Sequence, residues 1–252
     1  MSSGAAPGRL AVGVCGTMNE ERDRKVARAV VLLSGGMDSA VVLAMAIRRG
    51  FEAHALTFRY GQRHLVEVEA ARNVAAALGA SRHVVLDLDL ASFGGSALTA
   101  NGEIPRAAAG ADRPEIPATY VPARNAVFLA LAASFAEALA ARDVFIGVSA
   151  VDYSGYPDCR PEFIRAFESA LNLGTRAGAT GFPLELHAPL LEMSKADTVR
   201  AGLALGVDFG LTRSCYDPEG GGTPCGRCDA CRLRTRGFDG AGVADPLAQR
   251  KT

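Results

Sequence analysis

The residues richest in chemical potential are Ser34-Gly35-Gly36-Met37-Asp38-Ser39, which follow the apolar run Ala29-Val30-Val31-Leu32-Leu33 and lead into Ala40-Val41-Val42-Leu43-Ala44-Met45-Ala46-Ile47. A β-branched run, a turn of small residues and a helical pattern read as strand, turn and helix N-terminus, with Asp38 and Ser39 as cap candidates. Glycines remove the Cβ atoms that would keep an anion from the backbone. The helix start supplies unpaired N–H groups and the positive end of its dipole. Hydroxyls on Ser34 and Ser39 add further donors. This is chemistry for holding a phosphate. The turn lacks the Lys and the spacing of a Walker A loop, and an ordinary Gly-containing turn after a strand would use the same residue types.

A second cluster is made of thiols. Cys215, Cys225, Cys228 and Cys231 crowd together near the C-terminus, whereas Cys15 and Cys159 stand alone. Crowding of this kind suggests metal ligation rather than disulfides. The Gly- and Pro-rich stretch 217–224 brings Cys215 back toward a C-x2-C-x2-C run, and four thiolates suit a tetrahedral zinc ion with no position open for substrate. Arg213, Arg227, Arg232 and Arg234 are expected to surround the resulting negative charge. Iron–sulfur clusters use a similar spacing. Zinc is preferred because the next residues, Arg232 to Arg236, contain neither a nearby further Cys nor the proline of the ferredoxin run. Cys159 reads as a packed small hydrophobe.

Stepping outward, the elements that must carry these groups follow from periodicity. Strands are expected over 26–33, 52–58, 83–88, 143–149 and 184–190. Helices are expected over 38–49, 65–78, 126–141, 161–173 and from a Ser194 cap to 205, several closed by a glycine. Strand, helix and strand over 26–58 form a right-handed crossover unit, so the phosphate turn sits at the carboxyl end of a parallel strand. Three further strand-end or helix-start loops are crowded with polar side chains: Tyr60-Gly61-Gln62-Arg63-His64, Tyr120-Val121-Pro122-Ala123-Arg124-Asn125, and Asp152 to Arg160 with its two tyrosines and two acids. Turn chemistry alone would use many of the same residues. Arg124, however, opposes the dipole at the start of its helix, which an anionic partner would explain. The aperiodic stretch 91–119 reads as a long functional or disordered loop.

The totals set limits. A chain of 252 residues with 49% hydrophobic and 21% charged residues fits one α/β domain with a small appendage. No uncharged apolar stretch reaches spanning length, and residues 1–25 contain no apolar run of secretory-signal size, so a soluble cytoplasmic protein is expected. Lys plus Arg balances Asp plus Glu at 27 each, which favours a small substrate over nucleic acid. The expected organisation is a flexible extension over 1–25, a Rossmann-like doubly wound domain with a mainly parallel five-stranded sheet over 26–206, a four-cysteine zinc subdomain over 207–238, and a flexible tail over 239–252.

The Ser34 to Ser39 turn resembles the pyrophosphate loop of enzymes that cleave ATP between its α and β phosphates. In their order, that turn, Tyr60 to His64, Tyr120 to Asn125, Asp152 to Arg160 and the four cysteines resemble the 7-cyano-7-deazaguanine synthase family over roughly residues 28 to 238. The resemblance implies that 7-carboxy-7-deazaguanine, ammonia and ATP become a nitrile through adenylated acid and amide intermediates, in queuosine or related deazapurine biosynthesis. It implies ATP along Leu33, Ser34, Gly35, Gly36, Met37, Asp38, Ser39, Ala40, Val41, Val42 and Leu43, with Ser34, Asp38, Ser39 and Arg124 catalytic and Asp38 helping to position Mg²⁺. Substrate contacts are implied for Tyr60, Gln62, Arg63, Arg124, Asn125, Asp152, Tyr153 and Asp158, zinc for Cys215, Cys225, Cys228 and Cys231, and a homodimer for the assembly. No nucleic acid or membrane partner is implied. The alternatives are a deazaguanine-conjugating relative and a tRNA-thiolating enzyme with the same loop, the latter expected to carry a basic RNA-binding surface.

Overall fold

A computed structural model describes residues 1, 26–62, 66–99, 116–149 and 155–248. Its elements are β1 (Arg28–Leu32), α1 (Met37–Arg48), β2 (Glu52–Arg59), α2 (Val66–Leu78), β3 (Arg82–Asp87), α3 (Arg124–Ala138), β4 (Asp143–Phe145), α4 (Pro161–Gly174), α5 (Arg176–Ala179), β5 (Glu185–His187), α6 (Lys195–Ala204) and α7 (Asp229–Ala241). All strand pairs are parallel, in the order β3-β2-β1-β4-β5. The expected doubly wound sheet is therefore present.

Alternating residues of β1 enter different cores because both faces of the sheet are covered. Ala29, Val31 and Leu33 pack with α1, α6 and α7, whereas Val30 and Leu32 pack with α3 and α4. A strand buried on both faces reads as a continuous apolar run. The chain runs from β1 outward through β2 and β3, then returns to β4 on the other side of β1. The crevice between the carboxyl ends of β1 and β4 is thus the topological switch point, where open α/β sheets bind ligands.

Several boundaries differ from expectation for physical reasons. β4 ends at Phe145 rather than 149, because Gly147 passes directly over the start of α1. A Cβ there would lie 3.1 Å from the Ser39 amide nitrogen. β5 is likewise confined to residues that pair with β4. Helix α3 begins at Arg124, two residues early, after Ala123 in a left-handed conformation with φ 53°. Helix α6 has the expected cap, and Ser194 and Asp197 complete a capping box. The largest departure lies at the C-terminus, where α7 continues through residue 239, the expected start of a flexible tail. Arg234, only 4% exposed, forms a two-pronged ion pair with Asp245, and Leu247 is buried. The tail is anchored because a buried guanidinium requires a partner.

Helix α6 approaches the segment after it closely only because residue 202 is glycine. A Cβ there would meet the Phe209 ring and lie 2.8 Å from Val41 Cγ2. The Gly202→Ala variant should lose roughly 1–3 kcal/mol to overpacking, measured as a lowered urea midpoint at unchanged m-value.

Candidate functional site

The turn after β1 is held from both sides. Leu33 N–H donates to Leu56 O at 2.9 Å, and the Thr57 hydroxyl donates to Leu33 O at 2.6 Å. The next residues must therefore leave from a fixed point. Gly35 adopts φ +86°, and a Cβ on it would collide with Glu67 O and lie 2.7 Å from Ala71 N. Its glycine is required by the close approach of α2, not by an anion. Gly36 is the N-cap of α1 and has no side-chain cap. Asp38 and Ser39, expected as caps, already lie inside the helix. Side chains from outside the helix occupy its first amides instead: Ser34 Oγ accepts from Gly36 N at 3.2 Å, and Ser214 Oγ accepts from Met37 N at 3.3 Å. Ser39 Oγ lies 3.1 Å from Ser34 Oγ and donates to Gly36 O. Hydroxyls thus line a helix N-terminus that is ready for phosphate oxygens.

Leu33, Ser34, Gly36, Met37, Asp38 and Ser39 border a cavity of about 260 Å³ at the switch point. Ala40, Val41, Val42 and Leu43, expected along the nucleotide, do not border it. They are 0% exposed and form the centre of the apolar core, because the helix carries them away from the sheet's end within one turn.

Tyr60, Gln62, Arg124, Asn125 and Tyr156 border the same cavity. Arg124 Nη1 donates to Tyr60 OH at 3.3 Å, and its guanidinium lies 5.7 Å from the Tyr60 ring centre. The left-handed Ala123 immediately before it costs on the order of 1–2 kcal/mol, an outlay found at the residue that aims this cation into the cavity. Burial raises the Tyr60 phenol above its ordinary pKa and so keeps it neutral. Gln62 is turned back on the chain, accepting from Tyr60 N at 2.7 Å and donating to Phe58 O at 3.2 Å.

Asn125 and Asp158 mainly join two elements. Asp158 Oδ2 accepts from Asn125 N at 2.9 Å, and Asn125 Nδ2 donates to Cys159 Sγ at 3.1 Å. Asp158 is buried and does not border the cavity, contrary to its expected place around a substrate ring. The reason is that α3 begins without a cap of its own, so an acceptor from the segment before α4 serves it. Burial raises the Asp158 carboxyl, partly offset by the Asn125 amide and by Arg124. Arg63, Asp152 and Tyr153 lie outside the described residues.

Two cavity residues had no sequence signal of comparable strength. Lys195, at the start of α6, is buried and places Nζ 2.7 Å from Asp38 Oδ2 and 2.9 Å from Ser149 Oγ. The only available clue was a lysine just inside a well-capped helix, where it opposes the dipole as Arg124 does. Glu67 is half-buried in the first turn of α2, where an acid is ordinary. Burial pushes its carboxyl up to about 7, with Arg124 opposing.

The thiol cluster forms as expected. One sulfur from each of Cys215, Cys225, Cys228 and Cys231 lies within 4.8 Å of the others, near the roughly 3.8 Å edge of a tetrahedral zinc–thiolate site. All four are free of disulfides, and Cys225 N–H donates to Cys215 Sγ at 3.2 Å. Four thiols this close share their protons, the Cys228 thiol being lowered by hydrogen bonds from Cys215 and Cys231 while the Cys215 thiol is raised in turn. The donor set therefore fits a metal ion. Of the four arginines expected around the cluster, Arg234 pairs with Asp245, Arg227 lies 3.8 Å from Asp217 and 3.6 Å from Glu219, and Arg213 donates to Gly210 O and Thr212 O.

The thiol cluster and the turn are connected by three consecutive residues. Arg213 N donates to Gly35 O at 2.8 Å, Ser214 caps Met37, and Cys215 belongs to the thiol cluster. Cys228→Ser should lower the metal content measured by elemental analysis. It should also weaken ATP binding by about five- to tenfold through loss of roughly one hydrogen bond to the turn. Unchanged ATP affinity in metal-depleted protein would show that the two sites are uncoupled.

Among the described residues no helix is long and apolar enough to cross a membrane. The family model described as "Queuosine biosynthesis protein QueC" matches residues 28–242. A 7-cyano-7-deazaguanine synthase from Kineococcus radiotolerans is 59% identical over 223 residues, covering 88% of this chain and 97% of the relative. Those from Frankia casuarinae and Xanthomonas campestris pv. campestris are 62% and 61% identical, covering 86% and 87% of this chain and 92% and 96% of the relatives. Among solved structures, the NMN synthetase from Francisella tularensis aligns over 90% of this chain and 82% of its own, with a TM-score of 0.47 and 16% identity.

Proposed function

The chain belongs to the queuosine biosynthesis QueC family, and from that premise we propose that it is the ATP-dependent ligase that converts 7-carboxy-7-deazaguanine and ammonia to 7-cyano-7-deazaguanine. The observation that carries this reading is one cavity bordered by both the phosphate-ready turn and the Arg124–Tyr60 pair. A carboxylate is a poor electrophile. Its oxygen therefore attacks the α-phosphate of ATP, and pyrophosphate leaves into the turn of Ser34 to Ser39. Ammonia then displaces AMP to give the amide. A second adenylation on the amide oxygen lets AMP depart as the C≡N bond forms.

In this scheme Arg124 holds the substrate carboxylate, a role suited to a planar guanidinium. Lys195 and the amides at the start of α1 stabilise charge that develops on phosphate and on departing AMP. Asp38 would bind Mg²⁺ through its carboxylate, and the cysteines would hold a structural Zn²⁺. The tyrosines of the cavity offer surfaces on which a flat heterocycle can stack. We assign Tyr153, Asp152 and Arg63 to the substrate as a family expectation. The assembly in this reading is a cytoplasmic homodimer acting on small molecules without nucleic acid, which separates it from a tRNA-thiolating enzyme.

Incubation with the acid, ammonia and ATP should yield nitrile with AMP and pyrophosphate, two of each per nitrile. ADP and phosphate would overturn the reading, and adenylation without nitrile would favour a conjugating enzyme. Arg124→Lys should raise KM for the acid by roughly ten- to a hundredfold through loss of a bidentate contact. KM for ATP should move far less, as followed by pyrophosphate release.

A further inference from the structure

Making a nitrile is as much a problem of protons as of phosphate. Ammonium has four N–H bonds and the nitrile has none. One proton leaves as ammonium becomes the nucleophile. A second leaves as the C–N bond forms and the C–O electron pair departs with AMP. The third is lost as the amide oxygen attacks ATP, and the fourth as the imidate collapses and the second AMP takes the remaining oxygen. Both phosphate leaving groups depart as anions, so a base near the reacting carbon must accept these protons and pass them to solvent.

Among the described residues two acids border the cavity, Asp38 and Glu67. Asp38 is held by the Lys195 ammonium at 2.7 Å, and a carboxylate in such a pair is a weak base. Glu67 differs. No hydrogen bond or ion pair ties down its carboxylate among the described residues. It shares the cavity with Tyr60 from just past β2 and Arg124 from α3; the Tyr60 phenol feels its charge, and it feels that of Arg124. Asp38 with Lys195, and Arg213 with Tyr216, face the same cavity from the other elements. The main chain of Glu67 is also fixed relative to the phosphate turn, because Gly35 presses on its carbonyl.

Resting on the synthase reading above, we propose that Glu67 is the catalytic base that removes protons from nitrogen during amide and nitrile formation. If Arg124 holds the carboxylate oxygens, Glu67 borders the same cavity and can serve the nitrogen that attacks that carbon. Burial places its titration at about 7, matched to the working pH as an efficient general base requires. The ionised form acts, so turnover rises with pH through that region.

The test uses the full-length Glu67→Gln variant, which preserves size and helix propensity. Acid-dependent exchange between ATP and pyrophosphate without ammonia should stay within about threefold of wild type, while amide and nitrile formation fall by about 10²–10⁴-fold. The acidic limb of the wild-type kcat profile, centred near 7, should vanish in the variant, and Glu67→Asp should recover part of the rate with that limb. Proportional loss of exchange and nitrile formation would mean that Glu67 only supports the site, and would overturn the assignment. So would a Gln variant that retains both rate and limb. A wild-type enzyme that forms no nitrile would overturn the synthase reading and this assignment together.

Discussion

The first turn of α1 begins with backbone N–H groups that the helix itself cannot satisfy, and it does so at the buried end of β1, where the strand order reverses. Most of the neighbourhood is arranged around that deficit. Ser34 and Ser214 supply oxygens to two of the amides, and Gly147 lets the end of β4 pass over the same turn. Helix α2 packs so closely on Gly35 that no side chain is possible there. The turn is thus fixed by contacts from three other elements, so an anion bound there would cost little ordering energy.

An anion site of this kind needs opposing charges that do not collapse onto one another. Lys195 is paired with Asp38 and Ser149, while Arg124 is braced by the Tyr60 oxygen and ring. Each cation is therefore solvated by fixed protein groups rather than water, and its field reaches the cavity with little reorganisation. The strained Ala123 and the borrowed Asp158 cap are local costs of starting α3 where Arg124 faces inward. Helix propensity alone would have placed the start later, on the alanine-rich stretch.

This explains which parts were legible in the sequence. The strand, turn and helix at 28–48 could be read because apolar periodicity, small residues and helix start agree over a short range. The four thiols could be read because their spacing is itself the chemistry. Lys195 and Glu67 could not be distinguished from ordinary helix residues, since their significance arises only when α6 and α2 bring them to the end of β1. Asp158 misled for the complementary reason: a carboxylate in a polar loop resembles a binding group until the uncapped helix beside it is known. Ala40 to Leu43 follow a binding motif in sequence, but a helix turns them into the core within a few residues. The anchoring of Asp245 and Leu247 depends on Arg234, and no local pattern announces a partner eleven residues away.

The thiol cluster adjoins the cavity, since Cys215 belongs to both. The segment 212–228 is rich in glycine and proline and poor in large apolar residues, so it cannot bury enough surface to order itself. Yet it supplies the Ser214 oxygen to Met37 and the Arg213 amide to Gly35, contacts that need sub-ångström placement. A metal held by the four thiolates would replace the missing core, because metal binding free energy enters folding directly. Cys228 and Cys231 begin and occupy the first turn of α7, which in turn buries Phe238 against Phe209. The cluster thus fastens an otherwise unstable loop to the main core at one end and to the phosphate turn at the other. A closed, four-thiolate site is the appropriate device for this task, since an open coordination position would add reactivity without adding constraint.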